Sequence, residues 1–187
     1  MVMLTLCIHH TFSQDEGPVK EKGVSFKGVF DMILEFGGEE HLYLLFSNGE
    51  TQTTRYGQGL TLTIGGQLDF KNVPAFMLRA NTGIKFSTTA AEDASIYFLR
   101  MPFSIMPYWK MTEDFRFGLG LNTYLFANLN GDGYLEDERY SSGFQPKVEF
   151  GWRWVAVNYT KATFRDMNDN AYDASCFGIS FSLVFPE

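Results

Sequence analysis

The sequence predicts an all-β fold: an eight-stranded antiparallel up-and-down barrel of the transmembrane kind. Three observations predict it. Apolar and polar residues alternate with period two through eight long segments. The connections between them alternate between long and short. The chain is 17% aromatic, with 19 Phe, 9 Tyr and 3 Trp, yet its mean hydropathy is only −0.12. A length of 187 residues fits one domain. No run reaches the ~20 consecutive apolar residues of a membrane helix. A net charge of −7 argues against a nucleic-acid partner, which would want a basic face.

Taken in order, residues 1–13 resemble the later part of a secretory signal, with an apolar run Val2 to Ile8 and small residues Thr11 and Ser13. Residues 14–22 are polar and Pro/Gly-marked, which suits a flexible lead-in, and 23–187 form the barrel domain. Removal of the leader takes Cys7 with it and leaves Cys176 without an intramolecular partner.

Segment 24–37 sets Val24, Phe26, Phe30, Met32, Leu34 and Phe36 against Lys27, Asp31 and Glu35. Segment 57–70 sets Leu60, Leu62, Ile64 and Leu68 against Thr61, Thr63 and Gln67. Segment 75–88 sets Phe76, Leu78, Ile84 and Phe86 against Arg79 and Lys85. Segment 95–111 opposes Tyr97, Leu99, Phe103, Ile105 and Trp109 to Arg100 and Ser104. Segment 115–127 opposes Phe115, Phe117, Leu119, Leu121 and Leu125 to Arg116, Asn122 and Tyr124. Segment 143–153 opposes Phe144, Val148, Phe150 and Trp152 to Lys147, Glu149 and Arg153. Segment 155–165 alternates Val155, Val157 and Tyr159 with Asn158 and Thr160. Segment 175–185 alternates Phe177, Ile179, Phe181, Leu183 and Phe185 with Cys176, Ser180 and Ser182. Most of these runs exceed the usual five or six residues of a globular strand and match a tilted bilayer crossing.

The bulk of the apolar faces decides which way they point. Eight strands enclose a bore only just wide enough for side chains, and this many Phe and Trp residues would overfill it. Facing lipid, they have room. The polar residues then line the interior, and a buried charge is costly unless paired or hydrated. An interior network of Lys27, Asp31, Glu35, Arg79, Lys85, Arg100, Arg116, Lys147, Glu149 and Arg153 is therefore expected, with Asp31, Glu35 and Glu149 as acceptors and no wide pore. Trp109, Trp152 and Trp154 fall at strand ends, where an interfacial aromatic girdle belongs. The long connections 38–56, 88–94, 128–142 and 166–174 become acidic outer loops, and an even strand number puts both termini on the opposite, periplasmic side.

Three stretches resemble the PorT-like family of small outer-membrane β-barrels: FLRMPF (98–103), FRFGLGLNTYLFANLNG (115–131), and the ending from FGWRW (150–154) to SFSLVF (180–185). Arg100 stands where that family usually has an acid. The resemblance implies an outer-membrane location and a barrel fold rather than a reaction. The last segment also fits the C-terminal signal of the barrel-insertion machinery, with Cys176, Gly178, Phe181 and Leu183 in the marked places. Outer-membrane lipid and lipopolysaccharide are the other expected partners; an extracellular partner is not named by any motif.

Little in the sequence speaks for catalysis or cofactors. Asn128, Asn130 and Asp132 resemble the first half of a calcium loop, but its twelfth position is Arg139 rather than a bidentate Glu. Only weak divalent-ion association with the acidic loops is expected, and no cofactor. A lipid-modifying enzyme would need His41 beside a Ser or Asp, in the stretch HLYLLF (41–46). That stretch has three open roles: extending a strand, capping the barrel mouth or touching a partner. The alternative fold is a soluble lipocalin-like barrel, apolar inside, that binds a small ligand. The favoured role is non-enzymatic: structural, adhesive or surface-interacting.

Overall fold

The computed structural model describes residues 23–45, 51–91, 94–133 and 136–186. The proposed leader and lead-in lie outside the described residues. Eight strands form the barrel: β1 (Val24–Phe36), β4 (Gly59–Phe70), β5 (Phe76–Ala91), β6 (Ala94–Lys110), β7 (Phe115–Asn130), β9 (Gln145–Trp152), β10 (Val155–Thr160) and β13 (Cys176–Phe185). Each pairs antiparallel with its neighbour in chain order, and β1 closes the ring on β13, with Phe30 opposite Leu183 and Leu34 opposite Ile179. Closure leaves no unpaired edge, the condition for strands to cross a bilayer.

Short turns at 71–75, 111–114 and 153–154 share one end of the barrel with Val24 and Phe185. The other end carries further β-structure. β2 (Glu40–Leu45) and β3 (Thr51–Arg55) form a hairpin, β8 (Glu138–Tyr140) pairs with β7, and β11 (Thr163–Arg165) pairs with β12 (Ala171–Asp173). Three expected boundaries move accordingly. The 88–94 loop is mostly strand, because the Thr-rich ladder Thr88–Tyr97, Thr89–Ile96 keeps pairing. HLYLLF contributes residues 41–45 to β2. The 155–165 segment breaks after Thr160: Lys161 N–H donates to Pro146 O, and β11 leaves the barrel wall.

The barrel is inside-out relative to a soluble one. Phe26, Phe36, Ile64, Leu119, Leu125, Phe177 and Leu183 face outward and exposed, while Asp31, Glu35, Arg79, Lys85, Arg100, Arg116, Lys147 and Glu149 are buried. An apolar belt of this extent far exceeds the few hundred Å2 tolerated on a soluble surface. The lipocalin-like alternative, with its apolar bore, is therefore not the arrangement seen.

Inward glycines make room for bulk in this narrow bore. A Cβ at Gly118 would lie 2.5 Å from the Tyr108 ring, and one at Gly151 would lie 2.5 Å from the Arg116 guanidinium. One bulge breaks the alternation. Arg100 pairs with Ala127 and Pro102 with Tyr124, so Met101 stands opposite both Leu125 and Phe126. The extra residue reverses the parity of β7: Ala127 and Leu129 turn inward, and Asn128 turns outward.

Ile64 is 64% exposed on the outer wall, halfway along β4. Ile64→Arg should lower stability by about 2–4 kcal/mol in a lipid bilayer, the cost of Arg near the midplane of a membrane barrel. Urea titration of the variant in vesicles checks this; an unchanged midpoint would contradict a lipid-facing Ile64.

Candidate functional site: the charged bore and its aromatic cap

The bore is filled in layers. At the turn end, Asp69 sits between two ammonium groups, Lys27 at 3.0 Å and Lys110 at 2.5 Å, and also accepts from Gln67 at 2.9 Å. Above it, Arg79 Nε donates to Gln67 Oε1 at 2.8 Å and its guanidinium lies 5.3 Å from the Tyr108 ring centroid. Arg116 pairs with Glu149 at 3.3 Å, lies 5.9 Å from the centroid of the same ring, and donates to the Arg153 carbonyl at 2.5 Å.

At mid-height, Asp31 accepts from Asn81 Nδ2 at 2.5 Å and from Thr63 at 3.3 Å. Here a cavity of about 20 Å3 is lined by Asp31, Asn81, Asn122, Lys147 and Glu149 among others. Asp31 Oδ1 and Asn81 Oδ1 have no protein partner, and a polar cavity of that size suits about one water molecule.

The third layer is the most buried. Lys85 and Glu35, 0% and 5% exposed, are 3.0 Å apart. Glu35 also accepts from Thr61 at 2.6 Å and from the Cys176 thiol at 3.4 Å, while Lys85 donates to Gly57 O at 2.8 Å. Arg100 lies alongside without a carboxylate: it donates to Tyr56 O at 2.5 Å, Gln58 O at 2.7 Å and Ser87 Oγ at 3.0 Å. Two of these three bonds go to backbone carbonyls of the β3–β4 connection and tie that connection to the inside wall, while Nε has no partner.

Over this layer the interior turns aromatic. Tyr56, Phe98, Tyr124, Tyr140 and Phe164 are buried together, with Ile96, Leu129 and Ala162 between them. Tyr56 is the hub, with ring centroids of Tyr172 at 5.0 Å, Tyr140 at 5.5 Å and His41 at 4.1 Å. Burial pushes the Tyr56 phenol up to about 12. Burial also holds His41 below its ordinary value, against the opposing pull of Glu138. His41 Nε2 has no hydrogen-bond partner. The cap is thus a packed plug of rings brought by β3–β4, β8 and the β11–β12 hairpin.

The expected interior residues are placed as follows. Asp31, Glu35, Arg79, Lys85, Arg100, Arg116, Lys147 and Glu149 line the bore, and Lys27 stands half-buried at its turn end. Arg153 departs from the expectation. Alternation points it inward, but it occupies the two-residue turn between β9 and β10 with φ 51°, and its exposed guanidinium meets Asp114 at 3.0 Å. Trp109, Trp152 and Trp154 all stand outward and exposed at the turn end, with Trp154 stacked on Phe181 at 5.7 Å. Asn128 and Asp132 are exposed and Asn130 is half-buried. Asn130 Oδ1 accepts the Asp132 N–H at 3.0 Å, and among the described residues no cluster of His, Cys, Asp and Glu could hold a metal. His41 lies on aromatic rings, with no hydrogen bond to a Ser or Asp. The aromatic cap escaped the sequence reading, because Tyr56, Tyr140, Phe164 and Tyr172 lie in segments with no sustained period.

The closed antiparallel ring, apolar outside and charged within, defines an eight-stranded barrel of the membrane-spanning class. No family model matches the chain, and no curated protein matches it. Among solved structures it is similar to Ail, the attachment invasion locus protein of Yersinia pestis. It overlays the complex of Ail with the heparin analogue sucrose octasulfate at TM-score 0.45 and 9% identity, covering 86% of this chain and 97% of Ail. A second crystal structure of Ail gives 0.45 and 10%, with the same coverage. The backbone structure of Ail in a phospholipid bilayer nanodisc gives 0.38 and 7%, covering 84% and 99%.

Removing one member of the deepest pair strands the other. Lys85→Met should cost about 3–5 kcal/mol, and the double change Lys85→Met/Glu35→Met should recover much of that loss. A double-mutant cycle by urea unfolding in lipid checks the coupling; additive losses would show that the two charges do not depend on each other. His41, with its folded value below the unfolded one, contributes stability above pH ~6.5 that is lost as pH falls through the folded value. Its 13C-detected titration should therefore have a midpoint below that of free imidazole.

Proposed function

We propose that this chain is a non-enzymatic bacterial outer-membrane barrel, closed to solutes, that acts through its loop end. Both termini would lie on the periplasmic side. The observation that supports this best is the opposition of its two surfaces. The outer wall is an apolar belt edged by Trp109, Trp152 and Trp154 at the turn end. The bore holds compensated charges under a plug of rings. A membrane-spanning wall needs the first, and a conducting pore is incompatible with the second.

The loop end, by contrast, carries β-structure outside the bilayer. The β11–β12 hairpin is held by Asp166, which accepts from the backbone N–H groups of Asn168 and Asn170 and from the Tyr172 hydroxyl. The β2–β3 hairpin is crossed by the Arg55–Glu40 pair at 2.9 Å. A shaped and anchored surface of this kind suits contact with other molecules, in a structural or adhesive role. The stretches similar to PorT-like barrels agree with location and fold. Recognition of the final strand, β13, by the insertion machinery belongs to the same reading.

Purified in detergent, the protein should shift its gel mobility on boiling and should give no porin-like conductance in planar bilayers. Solubility without detergent, or a large stable conductance, would overturn the reading. Truncating the cap with Tyr140→Ala/Phe164→Ala should leave conductance low, since the Lys85–Glu35 layer remains beneath.

A further inference from the structure

One cavity lies outside the bore. It is a notch of about 240 Å3 on the outer wall, lined by Tyr97 and Leu99 of β6, Asn128 to Asn130 of β7, and Asp137, Glu138 and Arg139 at β8. The bulge opposite Met101 creates it, by turning Asn128 and Asn130 out of the barrel. Directly below them on the same wall stand Leu125 and Phe126, the last apolar residues of the belt on β7. The wall therefore changes from apolar to hydrogen-bonding within one or two residues of β7.

Among the described residues, the groups in the notch have spare capacity. Asn128 lies exposed in a cross-strand row with Leu99 and Arg139. Asn130 uses its Oδ1 on Asp132 N–H and keeps its amide donors. Asp137 uses Oδ1 on Gly131 N–H, and Glu138 uses Oε2 on the Tyr140 hydroxyl. Glu138 shares the inner face with its cross-strand partner Leu129 and with Tyr140, so the side-chain carboxylate of the notch is Asp137, which keeps its second oxygen. Side-chain amides and carboxylate oxygens are matched donors and acceptors for vicinal hydroxyls. The half-exposed Tyr97 ring offers an apolar face to the C–H side of a sugar. Arg139 brings a guanidinium fork suited to phosphate. The volume falls below the ~300–1,000 Å3 of sites for drug-sized molecules, so the notch suits one ring.

We propose that this notch binds a phosphorylated sugar headgroup of an outer-leaflet glycolipid, whose acyl chains run down the Leu99, Leu125 and Phe126 wall. The exposed Leu125 and Phe126 that precede Asn128 on β7 favour a lipid-borne sugar over a free one. The proposal rests on the outer-membrane reading and names the partner of one part of that surface.

The test uses the full chain in a zwitterionic, sugar-free detergent, offered equimolar lipid A and phosphatidylglycerol and read by native mass spectrometry. The wild type should retain lipid A in preference. Asn128→Leu/Asn130→Leu should lower that retention by about tenfold, a change of ~1.4 kcal/mol, and leave phosphatidylglycerol unchanged. Arg139→Ala should weaken lipid A with one phosphate removed less than lipid A with both. Equal retention by wild type and double variant would overturn the proposal, as would equal affinity for phosphatidylglycerol. Displacement of lipid A by glucosamine 1-phosphate at equal concentration would overturn the lipid source. The boiling shift, run on every sample, separates this failure from failure of the membrane reading, because the substituted side chains lie on the outer wall and should leave the barrel folded.

Discussion

The Lys85–Glu35 pair carries the constraint on which the barrel depends. A wall that puts its apolar side chains into lipid must fill its bore with the residues left over, and those are charged. With eight strands there is no water column to solvate them. Each charge therefore needs a partner within the wall itself. Lys85 meets that demand with a carboxylate at 3.0 Å and a backbone carbonyl at 2.8 Å. Arg116 meets it with Glu149 and the Arg153 carbonyl. Arg100 meets it with two carbonyls and the Ser87 hydroxyl, and through the carbonyls it also fixes the chain that enters β4. Charge compensation and loop anchoring are one interaction at that position.

Bulk obeys the same geometry. Tyr108 fits between Arg79 and Arg116 because Gly118, its cross-strand partner, contributes no side chain. Arg116 fits because Gly151 opposite it is equally bare. Two guanidinium carbons then lie within 6 Å of one buried ring, an arrangement worth more when desolvated than at an exposed site. Glycine on these strands is thus the complement of a large neighbour, and its meaning lies across the ladder rather than along the chain.

Much of this was legible in the sequence, for a physical reason. Period two survives wherever a strand separates lipid from a packed bore, so β1, β4, β5, β6 and β13 and the inward residues from Asp31 to Glu149 follow from alternation. Alternation fails where a turn or bulge intervenes. Arg153 keeps the inward parity in the sequence but sits at positive φ in a two-residue turn, so its side chain leaves the bore. The aromatic cap was not legible because its rings come from stretches scattered between β2 and β12 and meet only through tertiary contact. Tyr56 and Tyr172 are 5.0 Å apart across more than a hundred residues.

The bulge on β7 links the cap to the outer wall. Without it, Asn128 and Asn130 would continue the inward row of Asn122 and Tyr124, and two amides would enter the aromatic layer. Leu129 would face outward in their place and extend the belt. The extra residue exchanges these environments: Ala127 and Leu129 pack beneath Phe164 and Tyr140, and the amides move to the outside. Pro102, which has no N–H to give, stands at the edge of this irregularity, where a missing donor is tolerated. One inserted residue thus ends the polar bore, starts the apolar plug and stops the lipid belt at the same height. The height at which the wall changes character is set by the ladder, and the surface above it is free to vary in shape.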